Sequence, residues 1–371
     1  MEDLVTGARE FWRNRRVLVT GHTGFKGAWL SLWLERLGAH VTGFALPPAT
    51  SPSLFSLASI DTRIDSQLGD VRDPSAVEAA MARARPEVVF HLAAQALVRR
   101  SYSDPVGTYA TNVMGTAHVL DAARRAPGLR AIVVVTSDKC YDNHEWSRPY
   151  REDDAMGGHD PYSSSKACAE LVTAAWRRSF FQTPGAQSVG LGSARAGNVI
   201  GGGDWADDRL VPDCVRAFAA GNPVILRQPA SVRPWQHVLD PLAGYLSLAE
   251  RLAGDPHTFS EAWNFGPSTD EARPVSWVVD RVGRFWGDGA RWEADRGTHP
   301  HEAGLLQVDA SKARARLGWT PRLSLEEGLR WTVDWYKRVG AGEDAAALTL
   351  DQIGRFETGN IVNRGRNEAG S

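Results

Sequence analysis

The sequence predicts an α/β fold, with a Rossmann-like doubly wound parallel sheet followed by a smaller C-terminal α/β lobe. Two observations predict the sheet: short β-branched runs alternate with helical segments across the first half of the chain, and a glycine-rich turn directly follows the first run. The chain has 371 residues, beyond the ~250 to 300 at which a single core stops growing. This length favours a second lobe.

The strands and helices of the first half follow from apolar periodicity and from helix-capping residues. Two continuous apolar runs are typical of strands that are buried on both faces of a parallel sheet. Asp73 is a favourable N-cap and Pro74 a favourable first helical residue. The predicted strands are 16–20, 41–45, 64–68, 87–92 and 131–136, and the predicted helices include 24–37, a helix from 73, and 104–125.

The composition divides the chain into two lobes and a tail. We predict a dinucleotide-binding domain over 1–194, to which a segment at about 236–265 returns. After about residue 195, glycine, proline and charged residues become frequent, and the second lobe is predicted over 195–235 and 266–340. Residues 341–371 are predicted to form a C-terminal tail.

Charge and cysteine content exclude several classes of function. A net charge of -2 supplies no basic footprint for nucleic acid or an anionic membrane, so the expected partner is a small molecule. No apolar run approaches the ~18 residues of a membrane span, and no signal peptide is visible, which predicts a cytoplasmic protein. Cys140, Cys168 and Cys214 are odd in number and lack metal-ligand spacing, so we expect reduced thiols and no metal.

The glycine turn predicts a dinucleotide site. Gly21 would permit the tight turn, Gly24 the approach of backbone amides to a pyrophosphate, and Gly27 close packing of helix on strand. The alternative is a merely structural turn. The remaining residues predicted to contact the cofactor here are His22, Thr23, Phe25 and Lys26.

The end of the second strand leaves the choice between NAD and NADP open. Residues 44–47 supply neither the acidic side chain that favours NAD nor the arginine that favours NADP. Asp70 and Val71, after the third strand, are predicted to lie near the adenine, although a capping or turn role for Asp70 is nearly as plausible.

Tyr162 and Lys166 form a candidate catalytic pair. They are four residues apart and therefore share one face of a helix. An ammonium group beside the phenol would stabilise the phenolate and lower its pKa toward working pH, which makes Tyr162 a plausible base for a sugar hydroxyl. The alternative is a surface tyrosine and lysine at a serine-rich helix start.

Several motifs together resemble the extended short-chain dehydrogenase/reductase family and, within it, the CDP-glucose 4,6-dehydratases. The resemblance covers roughly residues 11–336. Its family-level motifs are the glycine turn, the Tyr162/Lys166 pair, and His91 followed by Leu92, Ala93 and Ala94, which are expected to contact the cofactor. The subfamily motifs are GHTGFKGAWLSLWL from Gly21, TSDKCYDN from Thr136, GGHDPYSSSKACAE from Gly157, ARAGNVIGGGDWA from Ala194 and RPWQHVLD from Arg233.

The resemblance implies an NAD-dependent dehydration of a nucleotide sugar. Tyr162 would take the proton of the C4 hydroxyl, Ser137 would polarise the C4 ketone, and Asp138 would protonate the C6 hydroxyl as water leaves. Related dTDP-glucose dehydratases have Asp-Glu where this chain has Asp138 and Lys139, so Lys139 is the candidate base for C5. The alternative is that Lys139 pairs with Asp138 or a phosphate.

The resemblance also implies the substrate contacts. Arg233 is the first candidate for the diphosphate, while Asn198 and Arg209 could equally be turn or salt-bridging residues. Arg195 could close a structural pair beneath the site, and His301 could be a packed histidine. Gln95 and Arg99 are expected where sugar and cofactor meet. The preference for CDP-glucose over another nucleotide sugar follows from the resemblance alone.

Two other readings of the function stay open, and the oligomeric state is predicted separately. A nucleotide-sugar epimerase would use Tyr162 and Lys166 without an acid at Asp138, and a cofactor-sensing regulator would need neither. Helices at 104–125 and 162–181 resemble the pair that forms a homodimer in this superfamily, although their apolar residues could be intramolecular core.

Overall fold

The structure is a computed structural model of the chain. It describes residues 10–183, 188–268, 271–287, 289–295, 297 and 304–359.

A seven-stranded parallel sheet forms the centre of the molecule and confirms the predicted fold class. Its strands run in the order β7-β6-β5-β4-β1-β2-β3. The order reverses between β1 and β4, and ligands of such sheets bind beyond the carboxyl ends of the strands at this switch point. The strands are β1 (Arg16–Thr20), β2 (His40–Ala45), β3 (Asp65–Leu68), β4 (Val88–His91), β5 (Ala131–Val135), β6 (Gly190–Arg195) and β7 (Ala262–Asn264).

Helices cover both faces of this sheet. Every residue of β4 and β5 is buried, as expected for apolar strands between two helical layers. Helix Pro105–Tyr109 continues through a π turn, Ala110–Met114, into Gly115–Ala123. The other helices of this domain are Phe25–Arg36, Leu54–Leu57, Ile60–Arg63, Pro74–Ala84, Val98–Ser103, Pro161–Trp176 with its π turn Arg177–Phe181, Leu239–Gly254 and Pro256–Phe259.

The segment predicted to return at about 236–265 contributes helix Leu239–Gly254, which packs on β5 and β6, and strand β7 at the edge of the sheet. Between and after these elements, short strand pairs, three α-helices and the π turn Ala313–Leu317 make up the second lobe over the residues that the structure describes. The pairs are Val199–Ile200 with Gln236–His237, Val224–Leu226 with Trp292–Ala294, and Val232–Arg233 with Arg273–Pro274; the helices are Leu210–Ala219, Val275–Trp286 and Leu325–Gly340.

The predicted tail at 341–371 is corrected in its first part. Asp344 caps a further helix, Ala345–Thr358, by accepting hydrogen bonds from the amides of the first turn. This helix packs on the helix that follows β1: the rings of Trp33 and Phe356 meet edge to face at 5.7 Å, and Trp33 Nε1 donates to Glu357. The tail prediction missed a tertiary contact with the first helix. Residues 360–371 lie outside the described residues.

Within the described ranges, none of the helices is both long and apolar enough to span a bilayer.

Candidate active site

One cleft of about 860 Å³ lies at the carboxyl ends of the strands, across the switch point between β1 and β4. This volume lies within the usual range for a site that encloses a small ligand. Its walls come from the turns after β1 to β6 and from the second lobe. Most of the predicted site residues therefore meet in one place.

The glycine turn after β1 closes one end of the cleft, and its backbone geometry explains two of the glycines. Gly21 has φ of 81°, and a Cβ there would lie 2.7 Å from the amide nitrogen of Ala93. A Cβ on Gly27 would collide with the carbonyl oxygen of Gly21. Gly24 is the N-cap of helix Phe25–Arg36 and has no side chain to cover the first amides of the helix. Those amides can donate hydrogen bonds to an anionic group such as a pyrophosphate.

The side chains of this turn divide between the cleft and the core. Thr23, Phe25 and Lys26 line the cleft. The His22 side chain does not: it is fully buried, and its Nε2 lies 2.8 Å from Ser66 Oγ. Burial lowers the pKa of His22 to about 4, so the ring is neutral. His22 can contact a cofactor only through its backbone.

The next turns supply the rest of the predicted cofactor wall. Leu92, Ala93 and Ala94 line the cleft after β4, and Asp70 and Val71 line it after β3. Asp70 accepts hydrogen bonds from the backbone and guanidinium of Arg72, and the guanidinium bond is the main reason that the pKa of Asp70 is lowered. Asp70 therefore stabilises its turn, as predicted, and also lines the cleft.

Tyr162 and Lys166 lie on helix Pro161–Trp176, and both line the cleft. The Lys166 ammonium donates to the carbonyl of Val135 at 3.2 Å, and burial lowers its pKa to about 8. The phenol differs from the sequence-based expectation. Burial raises the pKa of Tyr162 to about 12, against the opposing effect of a hydrogen bond with Ser137. In the protein alone, burial outweighs the stabilisation of phenolate that the Tyr162/Lys166 spacing predicts, so the phenol stays protonated.

Ser137 and Asp138 follow β5 and face the phenol. Ser137 caps the 3₁₀ turn Asp138–Cys140, and its Oγ accepts from the amide of Lys139 at 3.2 Å. The same hydroxyl donates to Asp138 Oδ1 at 3.1 Å. Asp138 is 1% exposed, and among the described residues its Oδ2 has no hydrogen-bond partner. A buried carboxyl oxygen without a partner is costly and is typical of a site poised for chemistry.

Two further lysines border this group. Lys139 is half-buried and lines the cleft, and no ion pair to Asp138 is found within the described part of the chain. Lys26 also lines the cleft, and burial, and secondarily the charges of Arg209 and Lys166, lower its pKa to about 7. The cleft therefore brings Lys26, Lys139 and Lys166 together with Asp138 and Tyr162.

Arg195 does not line the cleft. It is 1% exposed, and it donates to Glu170 at 2.9 Å and to the Tyr141 hydroxyl at 2.8 Å. Glu170 also accepts from Thr136 at 2.5 Å and from Ser193 at 2.7 Å. Burial acts to raise the pKa of Glu170, but Arg195 and these donors hold it below its ordinary value. The structure places Arg195 beneath the site as a structural residue, which corrects its prediction as a substrate contact.

The other predicted substrate residues border the cleft from several elements. Arg99 pairs with Asp208 at 3.3 Å and Arg209 with Asp204 at 2.8 Å. Arg233 is buried and donates to the Val232 carbonyl at 3.0 Å. Asn198 lines the cleft with φ of 46°, while the side chain of Gln95, also on the wall, bonds to Leu97 and Thr108. His301 lies outside the described residues.

Sequence reasoning missed the acidic partners of these arginines. Asp204, Asp208 and Arg227 line the cleft, and Asp208 bridges Arg99 and Arg227. Asp204 lies inside the motif that begins at Ala194, but no spacing rule joins it to Arg209. The proximity of Asp208 to Arg99, 109 residues earlier, is likewise a product of the tertiary fold.

Comparisons with known proteins identify the family of this chain. The sequence model of the family described as GDP-mannose 4,6 dehydratase matches residues 18–332. The chain is 53% identical over 350 residues to a CDP-glucose 4,6-dehydratase of Salmonella typhimurium, covering 94% of this chain and 98% of that protein. It is 30% identical to a dTDP-glucose 4,6-dehydratase of Streptomyces antibioticus, covering 86% and 92% of the two chains.

Solved structures show the same fold. A UDP-glucose 4-epimerase of Thermus thermophilus in complex with NAD superposes with a TM-score of 0.74 at 25% identity, covering 87% of this chain and 99% of that one. The UDP-glucose 4-epimerase of Thermotoga maritima gives a TM-score of 0.75 at 22% identity, with the same coverage of the two chains.

Proposed function

This chain belongs to the GDP-mannose 4,6 dehydratase family, and we propose that it dehydrates CDP-D-glucose to CDP-4-keto-6-deoxy-D-glucose with bound NAD. The observation that carries the proposal is the meeting of the Tyr162 phenol, the Ser137 hydroxyl and the buried Asp138 carboxyl group in the one cleft that begins at the glycine turn. Identity of 53% to a CDP-glucose 4,6-dehydratase supports the choice of nucleotide sugar.

The residues present fit a dinucleotide. The turn from Gly21 to Gly27 has no room for a Cβ at either glycine, and it leaves the helix amides at Gly24 open to a pyrophosphate. Asp70 lines the cleft and is the candidate for the adenine end, and Lys166 lines it from the same helix as the catalytic phenol. When bound, NAD supplies a hydride acceptor at C4 that is restored when the same hydride is delivered to C6.

The side chains of this protein supply the proton transfers. Tyr162 takes the proton of the C4 hydroxyl as the phenolate, a form that the Lys166 ammonium and the positive charge of bound NAD would stabilise, and Ser137 holds the C4 oxygen by a hydrogen bond. The C4 ketone then acidifies the C5 proton, which Lys139 removes. Asp138 protonates the C6 oxygen as it leaves as water. An epimerase would require no acid at this position, and the buried carboxyl group of Asp138 beside the phenol favours the dehydratase.

Substrate contacts are proposed for the second lobe. Arg233 and Arg209 line the cleft and have guanidinium groups suited to a diphosphate. Asn198, Gln95 and Arg99 line the same cleft and are the further candidates for contacts with the sugar.

Mass spectrometry tests the proposal directly. We expect incubation with CDP-glucose and NAD to give a product lighter by one water, and slower or no conversion of dTDP-, UDP- and GDP-glucose. Tyr162→Phe should lower the rate of water loss by about 10² to 10⁴-fold with unchanged thermal stability. Unchanged product mass with altered sugar stereochemistry would instead establish an epimerase.

A homodimer and a cytoplasmic location remain predictions. The two helices that precede and follow β5 expose large apolar side chains, with Val106 79% and Leu171 58% exposed. Such a patch favours association of two copies. Light scattering should give twice the mass of the chain, and the double variant Val106→Asp, Leu171→Asp should give a monomer.

A further inference from the structure

Asp208 lies on the wall of the cleft and is held there from both lobes. Its Oδ1 accepts a hydrogen bond from Arg227 Nη1 at 2.8 Å and another from Arg99 Nη1 at 3.3 Å. Arg99 lies on helix Val98–Ser103 of the first domain, and Arg227 directly follows strand Val224–Leu226 of the second lobe. All three residues line the cleft. Two guanidinium groups therefore fix the position of one carboxylate oxygen.

The other oxygen of this carboxylate is available to a ligand. Both bonds from the arginines end on Oδ1, and within the described ranges no hydrogen bond to Asp208 Oδ2 is found. The side chain is 36% exposed. A carboxylate accepts about four hydrogen bonds through its two oxygens. Asp208 thus offers an acceptor, held in a fixed place, to a donor group of a molecule that enters the cleft.

The place of Asp208 in the fold relates it to the base of a nucleotide sugar. In the proposed function, the hexose lies against the catalytic residues and the diphosphate against Arg209 and Arg233. The ribose and base must then extend away from the catalytic residues, toward the second lobe. Asp208 immediately precedes Arg209 and helix Leu210–Ala219 of that lobe, and its partner Arg227 belongs to the same lobe. This pair therefore lies on the side where a nucleobase is expected.

A pyrimidine base needs apolar contacts for its faces and matching polar groups for its edge. Leu210 and Leu226 line the cleft within two residues of Asp208 and Arg227, and they supply apolar surface. On its edge, cytosine carries an exocyclic amino group, which is a donor, where uracil and thymine carry a carbonyl oxygen, which is an acceptor. A carboxylate can accept a bond from the amino group but has no proton to donate to the carbonyl oxygen.

We propose that Asp208 selects cytidine nucleotides by accepting a hydrogen bond from the exocyclic amino group of cytosine on Oδ2. This inference rests on the proposed function, in which the choice of CDP is supported by sequence identity. The selection has two parts, because cytosine gains a charge-assisted bond, whereas uracil or thymine would place an oxygen against a carboxylate. Arg99 and Arg227 are positioning residues, since they hold Oδ1 in place.

Binding of nucleotides without the sugar tests this role independently of the chemistry. Calorimetry on the NAD-loaded protein gives the Kd of CDP and of UDP. We expect the wild type to bind CDP about 5- to 150-fold more tightly, which is the discrimination that a good contact with a base edge provides. Asp208→Asn should bring the ratio close to one, because an amide can present its oxygen to cytosine or its NH₂ group to uracil.

This substitution is chosen to preserve the fold. Asp208 has φ of 59°, in the left-handed region, which asparagine adopts more readily than most residues. Thermal unfolding of Asp208→Asn in the presence of NAD should therefore match that of the wild type, and this measurement separates a change in selection from a loss of folded protein.

Two neighbouring carboxylates provide matched controls. Asp207 is 86% exposed and lies outside the described wall of the cleft. Asp213 lines the cleft, but its Oδ1 accepts from Arg216. Asp207→Asn and Asp213→Asn should both keep the wild-type ratio of the two Kd values. Loss of the preference in Asp213→Asn but not in Asp208→Asn would overturn the assignment to Asp208.

The remaining outcomes separate this inference from the proposed function. Water loss from CDP-glucose by the wild type, together with an unchanged CDP-to-UDP ratio in Asp208→Asn, overturns the role of Asp208 alone. An equal loss of affinity for both nucleotides in this variant also overturns it, because the carboxylate would then only hold Arg99 and Arg227. Selective binding of CDP by the wild type without water loss from CDP-glucose overturns the proposed reaction and leaves the selection by Asp208 to stand. A wild type that binds neither nucleotide overturns both.

Discussion

Two buried carboxyl groups, Asp138 in the turn after β5 and Glu170 on helix Pro161–Trp176, interact with the residues that end β5, and their surroundings are opposite in kind. Glu170, 2% exposed, accepts hydrogen bonds from Thr136, Ser193 and Arg195. Asp138, 1% exposed, accepts one bond at 3.1 Å from Ser137. Full satisfaction makes the first a structural group, and partial satisfaction leaves the second with a carboxyl oxygen available to a ligand.

Neighbouring residues of the chain serve the two groups. Successive side chains of an extended strand point to opposite faces. At the end of β5 this alternation sends the Thr136 hydroxyl down to Glu170 and the Ser137 hydroxyl up to Asp138. The buried cluster of Glu170, Thr136, Ser193 and Arg195 forms the floor beneath the cleft, and Ser137 and Asp138 form part of its catalytic wall. One strand end contributes to both, so the floor can fix the position of the wall.

The largest expected effect is on the rate of water loss, and it comes from a change among the residues that line the cleft near Asp138. Lys139→Met removes the proposed base while leaving the floor intact, and should lower water loss by about 10² to 10⁴-fold. NAD binding, measured by protection against thermal unfolding, should be preserved. Dehydratase activity at the wild-type level in this variant would eliminate Lys139 as the base.

On the floor side, Glu170→Gln should reduce stability rather than alter the chemistry directly. It leaves the Arg195 charge buried and unpaired, which costs about 3 to 5 kcal/mol. Urea unfolding measures the loss. As a control, the double variant Glu170→Gln, Arg195→Met removes both charges and should recover part of the stability. Equal stability of the single variant and the wild type would contradict the assigned role of the floor.

The pH dependence of stability should also show the stabilising role of the Glu170 carboxylate. The pKa of Glu170 is held below its ordinary value of 4.5, so its contribution is fully present above that pH and is lost as the pH falls through the folded-state pKa. The acid limb of the stability profile should therefore be shallower in Glu170→Gln. An unchanged acid limb would show that Glu170 titrates alike in the folded and unfolded chain.

The most closely matched pair of variants removes the hydroxyl groups of the neighbouring residues Thr136 and Ser137. Thr136→Val keeps the shape of the side chain but removes one donor to Glu170, which should cost about 1 to 3 kcal/mol of stability. Ser137→Ala should change stability less and turnover more. Parallel unfolding and turnover measurements on the two variants check this, and identical profiles would show that the two faces of the strand end are not separated in role.

The smallest effect is expected at the surface. Asp121 and Arg124 pair three residues apart on a helix, and both are 39% exposed. Arg124→Ala should change the free energy of unfolding by about 0.2 to 1 kcal/mol, and salt should reduce the difference. A loss of stability in Arg124→Ala as large as that in Glu170→Gln would contradict the view that burial and hydrogen bonding make the Glu170–Arg195 pair matter more than the Asp121–Arg124 pair.

Much of the site followed from local signals. The glycine turn, the Tyr162/Lys166 spacing and the residues that follow β5 are each defined within a few positions of the chain, and the structure brings them into one cleft. His22 and Arg195 were predicted to face ligands, yet both turn into the core. His22 and Arg195 belong to the same motifs as residues that line the cleft. Only packing decides which way each side chain points.

By itself, the sequence determined the parallel sheet, the place of the glycine turn and the chemical groups available at the strand ends, because periodicity and turn chemistry act over a few residues. The tertiary structure alone decided which groups are satisfied. The bond between Ser193 and Glu170, the pairing of Asp208 with Arg99, and the helix 345–358 on Trp33 each join distant parts of the chain. Burial, which raises the pKa of Tyr162, and hydrogen-bond satisfaction, which separates Glu170 from Asp138 in role, are properties of that packing and are not encoded in any local spacing.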